Sequence, residues 1–391
     1  MNLKSLSKAF VSIYGSAHEH GYFCPGRVNL IGEHIDYNGG MVMPCAIRQG
    51  TYLLVSRNDD RVFRFHSANF NEYAEIPIGS DLKKGGEAWF NYPIGIIKGF
   101  ADKNADLTGL NFFFGGDIPV AAGLSSSASV GIVTAFVLNN LFNGQKSKLE
   151  LVRLAKSAEN DFIGVNCGIM DQYAVTFGEQ NGVLLIDCSV PRHDTVNCDF
   201  GGYILVIINT NKKRALAESK YNERVRECEL ALSALRQRLA IADLCTINAE
   251  QFVLYQHLIN DETVLKRAKH VVLENQRVQM AADALAAGDL PKFGRLLYQS
   301  HDSLKNLYEV SGPELDAVVE YCKIDPNVLG ARMTGAGFGG CAIALVKKSG
   351  LESFTSCLIK YYQDKVGYAP SIYLSEIADG VHELKSDHSY A

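Results

Sequence analysis

Three consecutive serines, Ser125, Ser126 and Ser127, follow Gly123-Leu124 in the run Asp117-Ile-Pro-Val-Ala-Ala-Gly-Leu-Ser-Ser-Ser-Ala-Ser129. Apolar and aromatic residues at 110–114 predict a buried strand before the run. Residues 125–142, apolar and poor in breakers, predict a helix after it, and Gly123 permits the tight turn between them. The first turn of a helix carries unpaired backbone N–H groups and the positive end of the helix dipole, so this junction suits a phosphate. The serine hydroxyls add donors, or oxygen ligands for a hard cation such as Mg²⁺. Serine is also a common N-cap. Three in a row behind Gly-Leu tip the reading toward anion binding.

A second unusual stretch runs from Cys24 to Gly40. Its apolar strand core, Val28, Leu30 and Ile31, breaks at Gly32 into a loop holding Glu33, His34, Asp36, Tyr37 and Asn38. Such polar crowding beside an apolar strand is costly unless the groups bind something or one another. Arg27 supplies a cation next to this cluster, which suits binding of hydroxyls. Farther on, Asp171 stands in a glycine-rich and otherwise apolar segment, residues 164–173, where it could take a proton from an alcohol. Glu159, near the end of a predicted helix, could be a second Mg²⁺ ligand. Together these features fit phosphoryl transfer, which needs alignment, charge neutralisation and an oriented nucleophile more than covalent help. Each residue also has a structural alternative: Arg27 in an ordinary ion pair, Glu159 on a solvated helix face, Asp171 as a turn cap.

The elements that must position these groups are legible in outline. Residues 2–15 predict an amphipathic helix with Leu3, Leu6, Phe10 and Ile13 on one face. Residues 51–55 and 61–65 read as neighbouring strands, and 87–101, with Trp89, as a helix. Ser147-Lys-Leu-Glu150 is a capping box opening a helix to about residue 162. Strands are predicted at 183–187 and 203–208, with a turn-forming stretch at 190–202 between them. That stretch divides the chain into an N-terminal domain, residues 1–200, and a C-terminal domain, residues 201–391. The second half is helix-rich, with a helix over 219–239 and two or three more between 249 and 308. Ser311-Gly-Pro-Glu314 reads as another capping box, and a strand at 341–346 follows the glycine run 335–340.

With 391 residues there is ample length for a core in each domain. A formal net charge of −5 gives no basic field for nucleic acid or an anionic membrane. No apolar run approaches the ~20 residues that cross a bilayer, and the N-terminus is too polar for a signal peptide. Ten cysteines lack any C-x-x-C pair, which argues against a zinc cage or redox pair. A soluble, reduced, cytoplasmic protein is expected, with no nucleic-acid or membrane partner and as a monomer in preference to an oligomer. Gly335 to Gly340 fits G-x-G-x-x-G, yet the following segment is β-like, so a dinucleotide site and a dehydrogenase are rejected. No Gly-Lys dipeptide exists for a Walker loop, and protein-kinase signatures are missing. The glycine run is either a hairpin or a loop whose backbone must approach a ligand or the serine turn.

At this point a family becomes visible. Gly26-Arg-Val-Asn-Leu-Ile-Gly-Glu-His-Ile-Asp-Tyr-Asn-Gly39 closely resembles the signature of galactokinases, members of the galacto-, homoserine, mevalonate and phosphomevalonate (GHMP) kinase superfamily. Gly123-Leu-Ser-Ser-Ser-Ala-Ser129 resembles that superfamily's phosphate loop, and Thr334-Gly-Ala-Gly-Phe-Gly-Gly340 its third motif. Gly168-Ile-Met-Asp-Gln172 and Glu218-Ser-Lys-Tyr-Asn222 match galactokinase patterns too. The likeness runs from about residue 21 to 346.

That resemblance implies an α+β, two-domain GHMP-kinase-like architecture. The N-terminal domain would hold a mixed sheet and a left-handed βαβ-type phosphate-loop region, the C-terminal domain would be a ferredoxin-like α/β sandwich, and the active site would lie in the cleft between them. It implies phosphorylation of D-galactose by ATP at the anomeric hydroxyl, giving galactose 1-phosphate and ADP in galactose catabolism. Glu33, His34, Ile35, Asp36, Gly168, Asp171 and Tyr221 would contact sugar. Ala121, Ala122, Gly123, Leu124, Ser125, Ser126 and Ser127 would form the ATP loop, with Mg²⁺ held by Ser127 and Glu159. Asp171 would be the base or the carboxylate orienting the hydroxyl, and Arg27 would pair with it and stabilise the transferring group. Ile35 stands where many members carry Thr, Cys24 replaces the commoner Ala, and Ala122 sits where Gly is frequent. These departures leave every charged group in place and bear on sugar preference. A kinase for N-acetylgalactosamine or another sugar, or a non-catalytic galactose- and ATP-binding regulator, are the alternatives; intact Ser127-Ala128 and Asp171 favour an enzyme.

Overall fold

The computed structural model of the chain describes residues 2–101, 107–119, 123–142, 144–212 and 217–385. The first half runs α1 (Leu3–Tyr14), β1 (His20–Asn29), β2 (Met41–Val42), β3 (Pro44–Asn58), β4 (Val62–Ser67), β5 (Ala74–Pro77), α2 (Asn91–Ala101), β6 (Gly109–Gly116), α3 (Ser126–Leu141), α4 (Lys148–Ser157), α5 (Met170–Phe177), β7 (Gly182–Asp187) and β8 (Arg192–Asn197). The second half runs β9 (Tyr203–Asn209), α6 (Ala217–Leu235), α7 (Ala249–Tyr255), α8 (Glu262–Ala286), α9 (Leu290–Ser303), α10 (Pro313–Ile324), β10 (Val328–Thr334), β11 (Cys341–Lys347), α11 (Leu351–Val366), β12 (Ser371–Ser375) and β13 (His382–Glu383).

The first sheet has the order β13-β1-β3-β6-β4-β5 and is mixed, because β4 and β6 run parallel. Both faces are covered, which explains why every residue of β6 but the last is buried. On one side Leu6 and Phe10 of α1 pack on Leu54 and Phe113. On the other, residues of α2, α3, α4 and α5 join the main core. The cap of α1 is Asn2, whose side chain accepts from the Ser5 N–H, and Gly15 ends the helix in the left-handed region. Ile13, expected on the apolar face, is exposed. The strands expected as neighbours at 51–55 and 61–65 are separated by β6, whose buried and mostly apolar side chains belong at the sheet centre. The helix expected from residue 87 starts at Asn91. Trp89 lies in the turn before it, packed edge-on at 5.3 Å from Phe114, with its indole N–H donating to the Glu72 carbonyl.

The capping box of α4 is formed as expected, with Ser147 and Glu150 satisfying each other's backbone N–H groups. This helix then widens into a π-turn, Ala158–Ile163, which carries Glu159. The stretch expected as turns at 190–202 contains β8, which pairs with β7 in a small sheet ordered β2-β7-β8. At α10 the capping box expected at Ser311 is not formed. Gly312 takes the cap position, and Ser311 donates its hydroxyl to Asp316 instead.

The second large sheet is antiparallel with the order β10-β11-β9-β12. Counting its strands in chain order gives 4-1-3-2 with helices in the first and last connections, the ferredoxin-like split βαβ topology. The tail, assigned with residues 201–391, does not stay with this sheet. β13 pairs with β1, Tyr22 opposite Glu383 and Phe23 opposite His382, so the chain's end covers an otherwise open edge of the first sheet. Among the described residues, no helix is long and apolar enough to cross a membrane.

Candidate active site

Arg27 comes from β1 just after a bulge between Pro25 and Gly26, a device that re-aims a strand's side chains. Its guanidinium is almost fully buried and has three partners. Nε and Nη2 donate to the two carboxylate oxygens of Asp171 at 2.8 and 2.6 Å, and Nη1 donates to the Gly123 carbonyl at 2.8 Å. The backbone N–H of Arg27 donates to the Leu124 carbonyl as well. One residue thus fastens the first strand to both the serine turn and the first turn of α5. Such a two-pronged charge-assisted pair is geometrically strict.

Ser125 precedes α3 in the left-handed region, at φ 61°. In that conformation its hydroxyl does not cap the helix but donates to Asp171 Oδ2 at 2.5 Å. Asp171 therefore receives three hydrogen bonds that fix its plane. Ser126 is exposed at the start of α3. Ser127 is set beside the carboxylate of Glu159, which accepts from the amide of Gln172. Burial raises the Glu159 carboxyl above its ordinary value, against the lowering effect of Ser127. Among the described residues, no three His, Cys, Asp or Glu side chains converge as a metal cage. A Ser hydroxyl beside a carboxylate still fits Mg²⁺, which takes few protein oxygens and completes its shell with phosphate and water.

The polar loop after β1 faces these groups. Glu33 Oε1 accepts from the Gly335 N–H at 2.7 Å and from the Thr334 hydroxyl at 3.0 Å, and the Arg332 guanidinium lies 3.3 Å away. The first and third motifs are thereby joined. His34 adopts φ 63° and is buried. Its Nδ1 lies 2.8 Å from the Tyr37 hydroxyl and its Nε2 3.2 Å from the Ala336 carbonyl. Burial, reinforced by neighbouring His270, pushes its pKa down to about 3, so the ring is neutral. Asp36 goes the other way. Burial first, then the charges of Asp171 and Glu33, raise it to about 7.

Arg27, Glu33, His34, Asp36, Gly123, Ser125, Ser126, Ser127, Glu159, Gly168, Asp171 and Tyr221 all line one cleft of about 860 Å³. Residues from both halves of the chain meet there, Tyr221 from α6 and Gly335 and Ala336 from the glycine hairpin among them. Two expected site residues are not in its wall. Ile35 and Leu124 are fully buried in the hydrophobic core, because an apolar side chain on a polar loop gains more by turning inward. Leu124 contributes only its carbonyl, to Arg27. Ala121 and Ala122 lie outside the described residues. The glycine run is a hairpin between β10 and β11 that also approaches the serine turn. A Cβ on Gly335, at φ 80°, would come 3.0 Å from the Gly123 carbonyl.

Sequence reasoning missed Gln172, which is fully buried and holds Glu159, and Arg332, which sits beside Glu33. Gln172 was visible as the last residue of a motif, but nothing in its spacing tied it to Glu159. Arg332 had a clearer signal, since an Arg inside an apolar strand must find an acid.

Three family profiles match the chain: Galactokinase galactose-binding signature over residues 8–57, GHMP kinases N terminal domain over 91–179, and GHMP kinases C terminal over 281–364. A galactokinase of Clostridium tetani (strain Massachusetts / E88) is 46% identical over 385 residues, 98% of each chain. One from Enterococcus faecalis (strain ATCC 700802 / V583) is 47% identical over 382 residues, 97% of this chain and 99% of its own. The crystal structure of Lactococcus lactis galactokinase complexed with galactose matches at a TM-score of 0.95 and 44% identity, covering 98% of this chain and 100% of that one. Mevalonate kinase of Methanococcus jannaschii, at a TM-score of 0.69 and 21% identity over 94% of this chain and all of its own, shares the fold.

Proposed function

The chain belongs to the galactokinase family of the GHMP kinases, and on that premise we propose that it transfers the terminal phosphoryl group of ATP to the anomeric hydroxyl of D-galactose. The products are galactose 1-phosphate and ADP. The observation that carries this reading is Asp171, gripped by Arg27 and Ser125 at the foot of the serine turn and facing the same cleft as Asp36 and Tyr221.

In this reading the sugar lies against the loop of Glu33, His34 and Asp36, with Gly168 and Tyr221 on the facing wall. The anomeric hydroxyl points to Asp171, which orients it and accepts its proton as the oxygen attacks phosphorus. Arg27 holds the carboxylate plane and places a positive charge where negative charge moves during transfer. The backbone N–H groups opening α3 receive the phosphates of the nucleotide. Ser127 and Glu159 would hold Mg²⁺, which neutralises phosphate charge when bound. Buried acids opposite the sugar hydroxyls favour galactose, because a wrong epimer leaves one of them without its partner.

Ten free thiols fit a reducing, cytoplasmic setting. The protein is proposed to act as a monomer; sedimentation at micromolar concentration tests it. The function itself is tested by ADP release with galactose, glucose, N-acetylgalactosamine, arabinose, homoserine and mevalonate. Galactose should be used far faster than the others. Turnover of N-acetylgalactosamine or mevalonate with none of galactose would overturn the reading.

A further inference from the structure

Behind the polar loop runs a partly buried chain of hydrogen bonds that none of the expected contacts accounts for. Cys228 Sγ of α6 lies 3.1 Å from the Tyr308 hydroxyl. That hydroxyl lies 2.9 Å from the Tyr37 hydroxyl, which in turn lies 2.8 Å from His34 Nδ1. At the far end His34 Nε2 meets the Ala336 carbonyl at 3.2 Å. Cys228, Tyr308 and His34 are buried and Tyr37 between them is half-buried, so a partner lost at Cys228, Tyr308 or His34 is poorly replaced by water.

The direction of every proton in this chain follows from its ends. A carbonyl only accepts, so His34 Nε2 carries the hydrogen. A neutral ring then has a bare Nδ1, which must accept from Tyr37. The single hydroxyl proton of Tyr37 is used there, so its oxygen accepts from Tyr308. Tyr308 in turn accepts from the Cys228 thiol. No link can reverse without breaking another.

We propose that Tyr308 and Cys228 are positioning residues for sugar binding, acting through Tyr37 and His34 on Asp36. The two pinned side chains flank Asp36 in sequence, so the chain fixes the backbone on both sides of that carboxylate. His34 is held in the left-handed region, a conformation that persists only when its surroundings over-determine it. The same rings back Tyr221, which packs 5.4 Å from His34 and 5.5 Å from Tyr37. Cys228 and Tyr308 come from α6 and from the π-turn Leu304–Tyr308 after α9, whereas Tyr37 and His34 belong to the loop after β1. The chain thus ties the loop to helices of the second half. This role rests on the assignment of that loop to the sugar.

The test combines steady-state kinetics with ¹⁵N NMR of His34. In the wild type His34 should show a protonated Nε2 and a hydrogen-bonded, unprotonated Nδ1. Tyr308→Phe keeps the ring and removes the donor. It should raise the KM for galactose about tenfold, the scale of one buried hydrogen bond, while the KM for ATP stays within about twofold. It should also shift Nδ1 toward the resonance of an unbonded nitrogen, since the Tyr37 bond loses its cooperative support. Cys228→Ser keeps a donor and should leave the galactose KM within about twofold of wild type, whereas Cys228→Ala should raise it. A wild-type ring protonated on Nδ1, or a Tyr308→Phe enzyme whose galactose KM is unchanged or rises in step with that of ATP, would overturn the proposal. If the wild type failed to turn over galactose, the reaction assigned above would fall, and the His34 tautomer would still decide the chain's polarity.

Discussion

Asp36 leaves no room for a side chain at Gly168: a Cβ there would stand 1.7 Å from Asp36 Oδ2. Gly168 therefore serves the site by absence, letting the carboxylate of one motif lie flat against the backbone of another. In Gly168→Ala the Asp36 carboxylate must swing away from its position in the cleft wall. Misplacement by about 1 Å can cost on the order of 10²-fold in efficiency, so kcat/KM for galactose should fall by that scale. Nucleotide binding, read by calorimetry with ADP, should stay close to wild type, because the atoms that the new Cβ would meet are those of Asp36 and not of the opening of α3. An equal loss in ADP affinity would show that the substitution disturbs the whole cleft.

Asp171 receives three hydrogen bonds, two from Arg27 and one from Ser125. Asp171→Asn keeps the shape and one oxygen acceptor for Arg27 but removes the charge that accepts a proton. Loss of a positioned proton acceptor costs about 10²–10⁴-fold, so turnover should drop by that range with the circular dichroism spectrum preserved. Galactose and ADP should still bind. Turnover within a factor of a few of wild type would remove Asp171 from the chemistry.

How far this site could be read from the chain alone differs from residue to residue. Arg27, Asp36, Ser127 and Asp171 stood out because charged or hydroxyl groups beside glycine and apolar runs are costly without a purpose. The ferredoxin-like sheet was reached only through the family resemblance, since periodicity identifies strands but not their order. Order is set by which apolar strand must sit in the middle, and β6 entering between β3 and β4 illustrates the point. Ile35 and Leu124 were misplaced because motif membership says nothing about which way a side chain turns. The return of β13 to β1 was invisible, as a two-residue edge strand has no pattern of its own. Ser125 was legible as a helix start, yet its φ of 61° sends the hydroxyl to Asp171, a consequence of packing and not of propensity.

The raised pKa of Asp36, about 7, has a consequence for stability that can be signed. Burial, then Asp171 and Glu33, disfavour its charged form in the folded protein. The unfolded carboxyl ionises near its ordinary value of 3.8. Between that value and about 7 the unfolded state sheds the proton first, so the contribution of Asp36 to stability declines as pH rises through this window and levels off above it. Asp36→Asn has no such loss. Its melting temperature relative to wild type should climb from about pH 4 to pH 7 and then stay constant. A difference that is flat across the window would mean that Asp36 titrates as an ordinary exposed carboxylate.

Ser127 and Glu159 sit beside each other in the cleft wall, one at the start of α3 and one in the π-turn after α4. Two hard oxygens held together, with Gln172 steadying the carboxylate, make a partial shell that phosphate oxygens would complete. Ser127→Ala takes one of these oxygens away. Half-saturating Mg²⁺ should rise several-fold, on the order of the ~1 kcal/mol attached to a single hydrogen-bonding partner, with kcat at saturating metal reduced less. Calorimetric binding of metal-free ADP should be nearly unaffected, which separates the loss of a metal ligand from collapse of the serine turn. Glu159→Gln should show the same pattern more strongly, because it removes the charge as well as weakening the ligand. An unchanged metal titration in both variants would place the cation elsewhere in the cleft.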